Sequence, residues 1–471
     1  MTARTSRWIG LVGALATAAC TVGPDYRKPA VATPPAYIEV AGAITPQDAD
    51  LSQWWRQFAD PTLENLIRRA LASNLDLQTA ASRVREARGQ EIIAGAKALP
   101  SLSAIGSAVT YNSNKPGSGA EASPLPGHLN LYYAGFDASW EIDLFGGVRR
   151  SVEEARATTQ ANVWASRDAE VSLTAEVAND YLTLRALQAR IAVGEAELAR
   201  QRDLFSLIGA RRTAGFVTNL DVNQQSTAVA TAAAQIPQLQ AQAKAQMHAI
   251  AVLLAEPPET VEQELNDNAG ALPAAPPALP VGLPSELLQR RPDIREAERK
   301  LAASNAEIGV QTAMLYPKID LIGLAGFGAM TPASLFSWQN LSSVGLASIS
   351  QPIFEGGKIR ASIRVAKERN QQADLAYRST VLGAFKDVED SLARYRAEEA
   401  RRASLAQAVQ AAKGSLAIAE DQYRTGFVTF INVLQAENAL LNAEDQLTQA
   451  DAASATDIVA IYKALGGGWS V

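Results

Sequence analysis

The most constraining feature of this 471-residue sequence is that it repeats itself. The run AGFVTNLDVNQ, from Ala214 to Gln224, is echoed by TGFVTFINVLQ, from Thr425 to Gln435, so that the two Gly-Phe-Val-Thr segments lie 211 residues apart. A Gly-Gly pair and an Asp recur in the same order at offsets of 210 and 217 residues: Gly146-Gly147 with Gly356-Gly357, and Asp76 with Asp293. Three matched segments at a nearly constant offset indicate a duplicated unit, so the fold is built from two similar halves.

Each half contains a charged, alanine-rich stretch without proline, which predicts a helix of about 65 residues and roughly 100 Å. The two stretches run from Val148 to Arg212 and from Lys358 to Arg424. A compact globule cannot hold helices of that length. In the first stretch apolar residues recur every seven positions, which keeps a seam against a partner helix: Val177, Leu184, Ile191, Leu198 and Phe205. Return helices follow at Leu220–Leu254, with a kink at Pro237, and at Ile431–Leu465.

Shorter helices open each half. In the first half Asp60 and Pro61 supply an N-cap and a first helical proline, and the helix is expected to run to about Leu99. In the second half Asp293 and Glu296 match a capping box after Pro292, and that helix is expected to run to about Tyr316. The proline-rich stretch from Pro257 to Pro284 is expected to be an irregular linker between the halves.

Segments of strand character lie between the helices. From Leu131 to Leu144 apolar residues alternate with polar ones, and the polar face includes Asp137, Glu141 and Asp143. This pattern suits a membrane β-strand, with the acidic residues lining a pore, although a soluble hairpin with a solvated acidic face is the alternative. Three further segments alternate less clearly: Ser101–Tyr111, Lys318–Gly328 and Leu341–Ile353. Four strands are too few to enclose a channel, so several chains would have to share one barrel.

Composition excludes several functional classes. A formal net charge of −6 and an isoelectric point near 5.3 argue against a nucleic-acid partner. Two His and one Cys leave almost nothing for a zinc site, a Cys/His nucleophile or a disulfide framework. Neither Gly-x-Ser-x-Gly nor His-Glu-x-x-His occurs. We therefore expect no enzyme activity, no cofactor and no metal.

The N-terminus has the layout of an export signal. Arg4 and Arg7 precede the apolar stretch Trp8–Ala18, and small residues then lead to Cys20. A lone Cys at this position resembles the lipid-attachment site of bacterial lipoproteins, with Thr17 in place of the usual Leu, and Thr21 after the Cys would direct the protein to the outer membrane. An ordinary signal peptide with an incidental Cys is the alternative. No apolar run of about 18 residues follows, so a membrane crossing would need a closed barrel.

Five motifs together resemble the TolC-like outer-membrane efflux factors, in the NodT-type lipoprotein branch. They span nearly the whole mature chain: Cys20–Tyr26 (CTVGPDY), Trp54-Trp55 with Phe58, Leu287–Ile294 (LLQRRPDI) with Ala297-Glu298, both Gly-Phe-Val-Thr turns, and Tyr462–Trp469 (YKALGGGW). The resemblance implies a mostly α, α+β homotrimer with four strands per chain. Its 12-stranded outer-membrane β-barrel would continue as a 12-helix periplasmic α-barrel with a mixed α/β equatorial belt.

The resemblance also implies a function and partners. The chain would be the exit duct of a tripartite efflux pump for drugs or other small molecules, and so would contribute to antibiotic resistance. Its partners would be two further copies of itself, a periplasmic adaptor, an inner-membrane RND-type pump and outer-membrane lipid, with palmitate on Cys20. A lipid-anchored periplasmic coiled-coil adaptor is the alternative, but an adaptor would have one helical hairpin and this sequence predicts two.

The same resemblance assigns roles to particular residues. The two turns would form the periplasmic tip where the adaptor docks: Gly215, Phe216, Val217 and Thr218, and Gly426, Phe427, Val428 and Thr429. A gate would combine an Asp221–Tyr423 pair with Asn432 and Gln435, which stand where the family carries carboxylates. The plainer readings are a simple hairpin turn and exposed helix amides. We expect Trp54, Trp55 and Trp469 to be packing residues.

These expectations divide the chain into five segments. Residues 1–19 form the signal peptide, and residues 20–61 form the lipidated segment and part of the belt. Residues 62–255 form the first repeat, residues 256–284 the linker in the equatorial region, and residues 285–471 the second repeat.

Overall fold

The computed structural model describes residues 21–39, 44–45, 51–112, 128–267, 272–273, 279–280 and 284–469. The expected signal peptide and Cys20 lie outside these residues. Eleven segments make up the two halves. The first half has α1 Pro61–Ser73, α2 Leu75–Ala96, β2 Ser101–Asn112, β3 His128–Ile142, α3 Gly147–Thr213 and α4 Asn219–Leu254. The second half has α7 Pro292–Ala313, β5 Lys318–Ala329, β6 Leu341–Ser350, α8 Lys358–Thr425 and α9 Phe430–Ala464, and its single helix α7 corresponds to α1 and α2 together. The predicted duplication of helix, two strands, long helix and return helix is confirmed.

The long helices match their predicted bounds to within one residue at each end. Helix α3 has 67 residues and α8 has 68. Both return helices also match, and α4 remains one helix across Pro237. Among the described residues, no helix combines the length and hydropathy that a membrane span requires.

The opening helix of the first half is interrupted, whereas the sequence predicted one continuous helix to about Leu99. Asp60 caps α1 as predicted, since its Oδ1 accepts hydrogen bonds from the backbone N–H groups of Thr62 and Leu63. The helix breaks at Asn74, whose φ of −58° and ψ of 132° leave the helical region. The Asn74 side chain then accepts the N–H groups of Asp76 and Leu77 and so starts α2.

Two further expectations are corrected. Helix α7 begins at Pro292, so Asp293 lies inside the first turn rather than at the cap, and its carboxylate binds the Arg291 guanidinium. The linker is not wholly irregular. It contains α5, Pro258–Asp267, and the two-residue strand β4, Leu279–Pro280, which pairs in parallel with β1, Ile44–Thr45. Helix α6, Pro284–Arg290, then leads into the second half.

The four longer strands form one antiparallel sheet in the order β2-β3-β5-β6. Each half contributes one hairpin, and β3 and β5 join the two hairpins along eleven paired positions, from Tyr132 with Ala329 to Ile142 with Ile319. Within this chain β2 and β6 are the edges, so each has one side whose backbone groups pair with no other strand of the sheet.

The chain divides into two compact units. The first combines the residues up to Ala30 with Arg83–Asn162 and Ala297–Tyr377 and holds the sheet. The second combines Val31–Ser82, Val163–Glu296 and Arg378–Val471 and holds the largest apolar core.

That core is built around tryptophan, as expected. Trp54 is only 1% exposed, stacks on Tyr462 with ring centroids 5.2 Å apart, and meets Trp55 edge-on at 5.8 Å. Trp469 packs edge-on against Trp164 at 5.5 Å. The packing role predicted for Trp54, Trp55 and Trp469 is confirmed.

Candidate functional site

The strand register gives the sheet two chemically different faces. Residues opposite one another on neighbouring strands share a face, so Phe136 lies with Ala104 and Ala325, and the face continues through Trp140 and Leu321. No strand residue on this face is Asp, Glu, Lys or Arg. Phe136 is 57% exposed, so this chain does not itself cover the face. The four strands therefore complete the apolar face that the β3 sequence alone had indicated.

The opposite face holds all four charged residues of the sheet: Asp137, Glu141, Lys318 and Asp320. Glu141 lies directly opposite Asp320, and the Lys318 Nζ is 3.8 Å from the Glu141 carboxylate. Asp137 and Glu141 thus occupy the face predicted for them. Asp143 does not, because β3 ends at Ile142. Its carboxylate accepts the N–H groups of Val148 and Arg149 and so caps α3 instead of lining the sheet.

Both predicted turns reverse the chain through a glycine with positive φ, 81° at Gly215 and 82° at Gly426. The N–H of Phe216 donates to the carbonyl of Arg211, and the N–H of Gly215 donates to that of Arg212. The second turn repeats both bonds, from Phe427 to Gln422 and from Gly426 to Tyr423. This is the Schellman pattern, in which a left-handed glycine satisfies the last carbonyls of a helix.

Each turn exposes one aromatic ring and partly buries the valine that follows it. Phe216 is 79% exposed and Phe427 is 84% exposed. Val217 and Val428 pack against an apolar cluster that includes Tyr423 and Phe430. An exposed large ring on a hydrogen-bonded turn is suited to contact with another molecule.

The two turns differ in how they start the return helix. Thr218 caps α4 with a reciprocal capping box, in which Asp221 Oδ2 accepts hydrogen bonds at 2.8 Å from both the Thr218 N–H and its hydroxyl. At the second turn Thr429 is the cap but its third residue is Asn432, and the side chain of Thr429 makes no capping hydrogen bond.

The structure does not bring together the predicted gate pair. Asp221 is engaged in its capping box, and the Tyr423 hydroxyl is buried with no hydrogen-bond partner in the part of the chain that the structure describes. Asn432 and Gln435 are both exposed, on the opposite side of α9 from the buried Val433 and Glu437. The two amides therefore share one face, as their spacing predicted, and are free to meet another molecule.

Three features escaped sequence analysis because each depends on contacts between distant segments. Arg211 lies over the Tyr423 ring, 4.7 Å from its centroid. Arg150, whose side chain is 5% exposed, binds the N-terminal segment through the carbonyl of Val22 and the carboxylate of Asp25. Glu437 is buried with Glu197, 240 positions earlier in the chain. Within the described ranges, no group of His, Cys, Asp or Glu is arranged to hold a metal ion.

Comparison with known proteins indicates the same family for both halves of the chain. A family model described as "Outer membrane efflux protein" matches residues 66–256 and 283–467, which correspond to the two halves. The chain is 33% identical over 427 residues to the pyoverdine export outer membrane protein OpmQ of Pseudomonas aeruginosa, covering 89% of this chain and 88% of that protein. It is 33% identical over 459 residues to the probable efflux pump outer membrane protein TtgC of Pseudomonas putida, covering 96% and 93%.

Solved structures of outer-membrane channels are also similar to this chain. The outer-membrane channel OprN has a TM-score of 0.90 and 37% identity, with 96% of this chain and 100% of that one covered. The open state of the MtrE outer membrane channel of Neisseria gonorrhoeae has a TM-score of 0.84 and 29% identity, with 96% and 99% covered.

Proposed function

The chain belongs to the outer membrane efflux protein family and serves as an outer-membrane exit duct, and from this premise we propose that three copies assemble into one channel. In this proposal twelve strands close a barrel in the outer membrane, and the helices continue it as a periplasmic tunnel. The channel receives drugs or other small molecules from an inner-membrane RND-type pump through a periplasmic adaptor.

The observation that carries the proposal is the two-faced sheet. An apolar face without Asp, Glu, Lys or Arg suits contact with lipid, while the opposite face collects Asp137, Glu141, Lys318 and Asp320 and suits a water-filled lumen. The strands β2 and β6 leave two edges, and in a membrane every backbone N–H and carbonyl must be paired. Pairing β6 of one copy with β2 of the next satisfies both edges and closes the ring.

A conductance experiment tests this proposal. Purified full-length protein reconstituted in planar bilayers is expected to form cation-preferring channels, since acidic residues outnumber Lys318 on the polar face. Asp137→Asn with Glu141→Gln should reduce the preference for cations, whereas Asn130→Asp on the apolar face should impair insertion. Absence of conductance from correctly exported protein, or an unchanged ion preference in the first variant, would contradict the assignment of the faces.

We further propose that the adaptor docks at the two turns. Support comes from Phe216 and Phe427, which are exposed while their neighbours Val217 and Val428 are packed. Phe216→Ser with Phe427→Ser should abolish adaptor cross-linking and drug tolerance without loss of the trimer, because neither ring contributes to the apolar cluster. Val217→Ser with Val428→Ser is the matched comparison, and it should lower thermal stability as well. Cross-linking that survives the phenylalanine changes would exclude docking at the turns.

The lipid anchor on Cys20 is also a proposal. The segment that follows Cys20 is held firmly, since the Val22 N–H donates to the carbonyl of Phe145 at 3.1 Å and Arg150 binds Asp25 at 2.7 Å. These contacts hold the chain beside the junction of β3 and α3, where the sheet ends. A lipid chain on Cys20 would then enter the membrane leaflet next to this end of the strands. Palmitate should label the wild type but not Cys20→Ala, and an unlabelled wild type would exclude the anchor.

For the gate we propose that Asn432 and Gln435 face the tunnel axis at its periplasmic end. This placement is supported by the exposure of both side chains on one face of α9. The side-chain amides of the three copies would form uncharged rings around the axis, which should bind divalent cations weakly. Asn432→Asp with Gln435→Asp should therefore create tight divalent block from the periplasmic side, measured as conductance in planar bilayers. Strong block of the wild type from that side, or no change in the variant, would show that these residues lie elsewhere.

A further inference from the structure

A buried polar cluster joins the two helical hairpins, α3 with α4 and α8 with α9. The amide nitrogen of Gln201 on α3 donates to Glu437 on α9 at 2.9 Å and to Glu197 at 2.5 Å. The amide of Gln225 on α4 donates in turn to the Gln201 side-chain oxygen at 2.6 Å. All four side chains are 3% exposed or less. Because the Gln201 amide uses both of its ends, its orientation in this network is fixed.

The two carboxylates of the cluster are not equivalent. Glu197 forms an ion pair with Arg200, whose guanidinium nitrogen lies 2.7 Å from the Glu197 Oε2. Glu437 makes no ion pair with any residue that the structure describes. Burial, followed by the charge of Glu197, raises the pKa of Glu437 to about 7.

The charged groups near Glu437 lie on α3 and α8. Helix α3 presents Glu197 and Arg200, and α8 presents Glu420, which also disfavours ionisation of Glu437. Helix α4 contributes only the neutral Gln225. On α9 itself, Glu444 is satisfied by Lys413 at 3.2 Å. Apart from Arg200, which is bonded to Glu197, no cation in this set offsets a charge on Glu437.

We propose that Glu437 is a proton-binding site whose occupancy controls the contact between the two hairpins. When Glu437 is neutral, a single amide can bridge it to the ionised Glu197 without repulsion. When Glu437 ionises, two negative charges share one buried amide and repel each other. Movement of α9 away from α3 then lowers the free energy, because water can enter and solvate both carboxylates.

The direction with pH follows from the raised pKa. A carboxyl that binds its proton more tightly in the folded state than in the unfolded state stabilises the contact at low pH. This stabilisation is lost as pH rises from the ordinary value of 4.5 through about 7. The contact should therefore be tight in mildly acidic surroundings and loose in alkaline ones, whether or not Asn432 and Gln435 line a constriction.

Hydrogen exchange of the full-length protein in detergent, read by mass spectrometry, tests the proposal. After correction for intrinsic exchange, wild-type peptides around Glu437 and Gln201 should exchange about tenfold faster near pH 8.5 than near pH 5.5. Glu437→Gln keeps a neutral side chain of the same size and should exchange slowly at both values. Wild-type exchange that does not change with pH, or an equal pH effect in Glu437→Gln, would overturn the proposal.

Two more variants complete the test. Asp445→Asn lies on the same helix and removes an ion pair with Arg190, at 2.6 Å, but should leave the pH effect in place. Glu197→Gln removes the charge next to Glu437 and should move the midpoint of the effect to lower pH. This variant also decides the case if Glu437→Gln fails to fold, because an unmoved midpoint would mean that another group titrates.

Discussion

The guanidinium of Arg211, at the end of the first long helix, lies over the ring of Tyr423 at the end of the second, 4.7 Å from the ring centroid. Its Nη atoms also donate to the carbonyls of Tyr423 and Arg424 at 3.3 Å. A cation beside these carbonyls is stabilised by the negative, C-terminal end of the α8 dipole. One side chain thereby ties together the two turns that are 211 residues apart.

Arg211→Ala should loosen the two turns from each other. The variant loses a cation–π contact and two hydrogen bonds, so we expect a cost of about 1 to 2 kcal/mol. Thermal unfolding and hydrogen exchange of residues 420–430 measure it. Arg212→Ala is the control, because among the described contacts the Arg212 side chain bonds only to Asn219, within its own hairpin. Equal effects of the two variants would mean that Arg211 does not link the hairpins.

Tyr423→Phe should leave stability unchanged or raise it by about 1 kcal/mol. The hydroxyl is buried without a hydrogen-bond partner in the described chain, so its removal relieves a desolvation cost. The ring keeps its contacts with Arg211 and Phe430. Thermal unfolding of the assembled protein provides the measurement. A marked loss of stability would instead mean that a second copy supplies an acceptor.

Gly426→Ala should destabilise the second turn by about 1 to 2 kcal/mol, because a side chain at a φ of 82° clashes with its own backbone. Gly414→Ala, within the preceding helix α8, is the matched control. An added methyl there meets nothing within 4 Å, and alanine favours the helix, so stability should hold or rise. Thermal midpoints of the two variants should move in opposite directions or differ clearly. Equal midpoints would exclude a strained turn.

Gly23→Ala should release the N-terminal segment. A methyl at this position would lie 2.5 Å from the Gly309 Cα, and the φ of 94° adds strain. We expect faster proteolysis within residues 21–30, measured by timed digestion and mass spectrometry. Gly106→Ala, where a methyl meets nothing within 4 Å, should digest as the wild type does. Unaltered digestion of Gly23→Ala would mean that this close approach is not needed.

Asp168→Asn should stabilise the protein above about pH 6 and have little effect near pH 4. Burial, followed by the charges of Asp293 and Glu296, raises the pKa of Asp168 from 3.8 to about 6, so its ionisation weakens the folded state as pH rises. After allowance for solvent screening we expect a gain of about 1 to 2 kcal/mol.

Asp390→Asn gives the opposite sign and serves as the control. A hydrogen bond from Lys386 lowers the pKa of Asp390, so its ionised form supports the folded state above its ordinary value of 3.8. Thermal midpoints at both pH values separate the two variants, and a gain from Asp390→Asn at neutral pH would undermine this electrostatic account.

Sequence patterns predicted the elements of this fold where one physical signal dominated. The long helices were predicted to within one residue, because they lack proline and end just before Gly215 and Gly426. The face assignment of β3 also held, because strand alternation has a period of two. The two-residue strand β4 and helix α5 were missed, since a proline-rich composition gives no periodic signal.

Other features depend on contacts between distant segments. Asn74 reads as an ordinary helix residue until its side chain is seen to start a new helix and to bond the Leu253 carbonyl. Asp143 continues the polar alternation of β3 but is used as a cap, because the strand stops one residue earlier. The burial of Glu437 follows from the packing of α9 against α3, which its own neighbours in the sequence do not reveal.

The duplication has an evolutionary consequence. In a ring of six identical half-chains, every substitution would appear six times around the axis, and neighbouring hairpins could never differ. Fusion of two halves into one gene lets Asp221 persist at one turn while Asn432 occupies the matching site of the other. Selection can then act on alternate hairpins separately, so that one keeps the capping box at the start of its return helix while the sequence of the other changes.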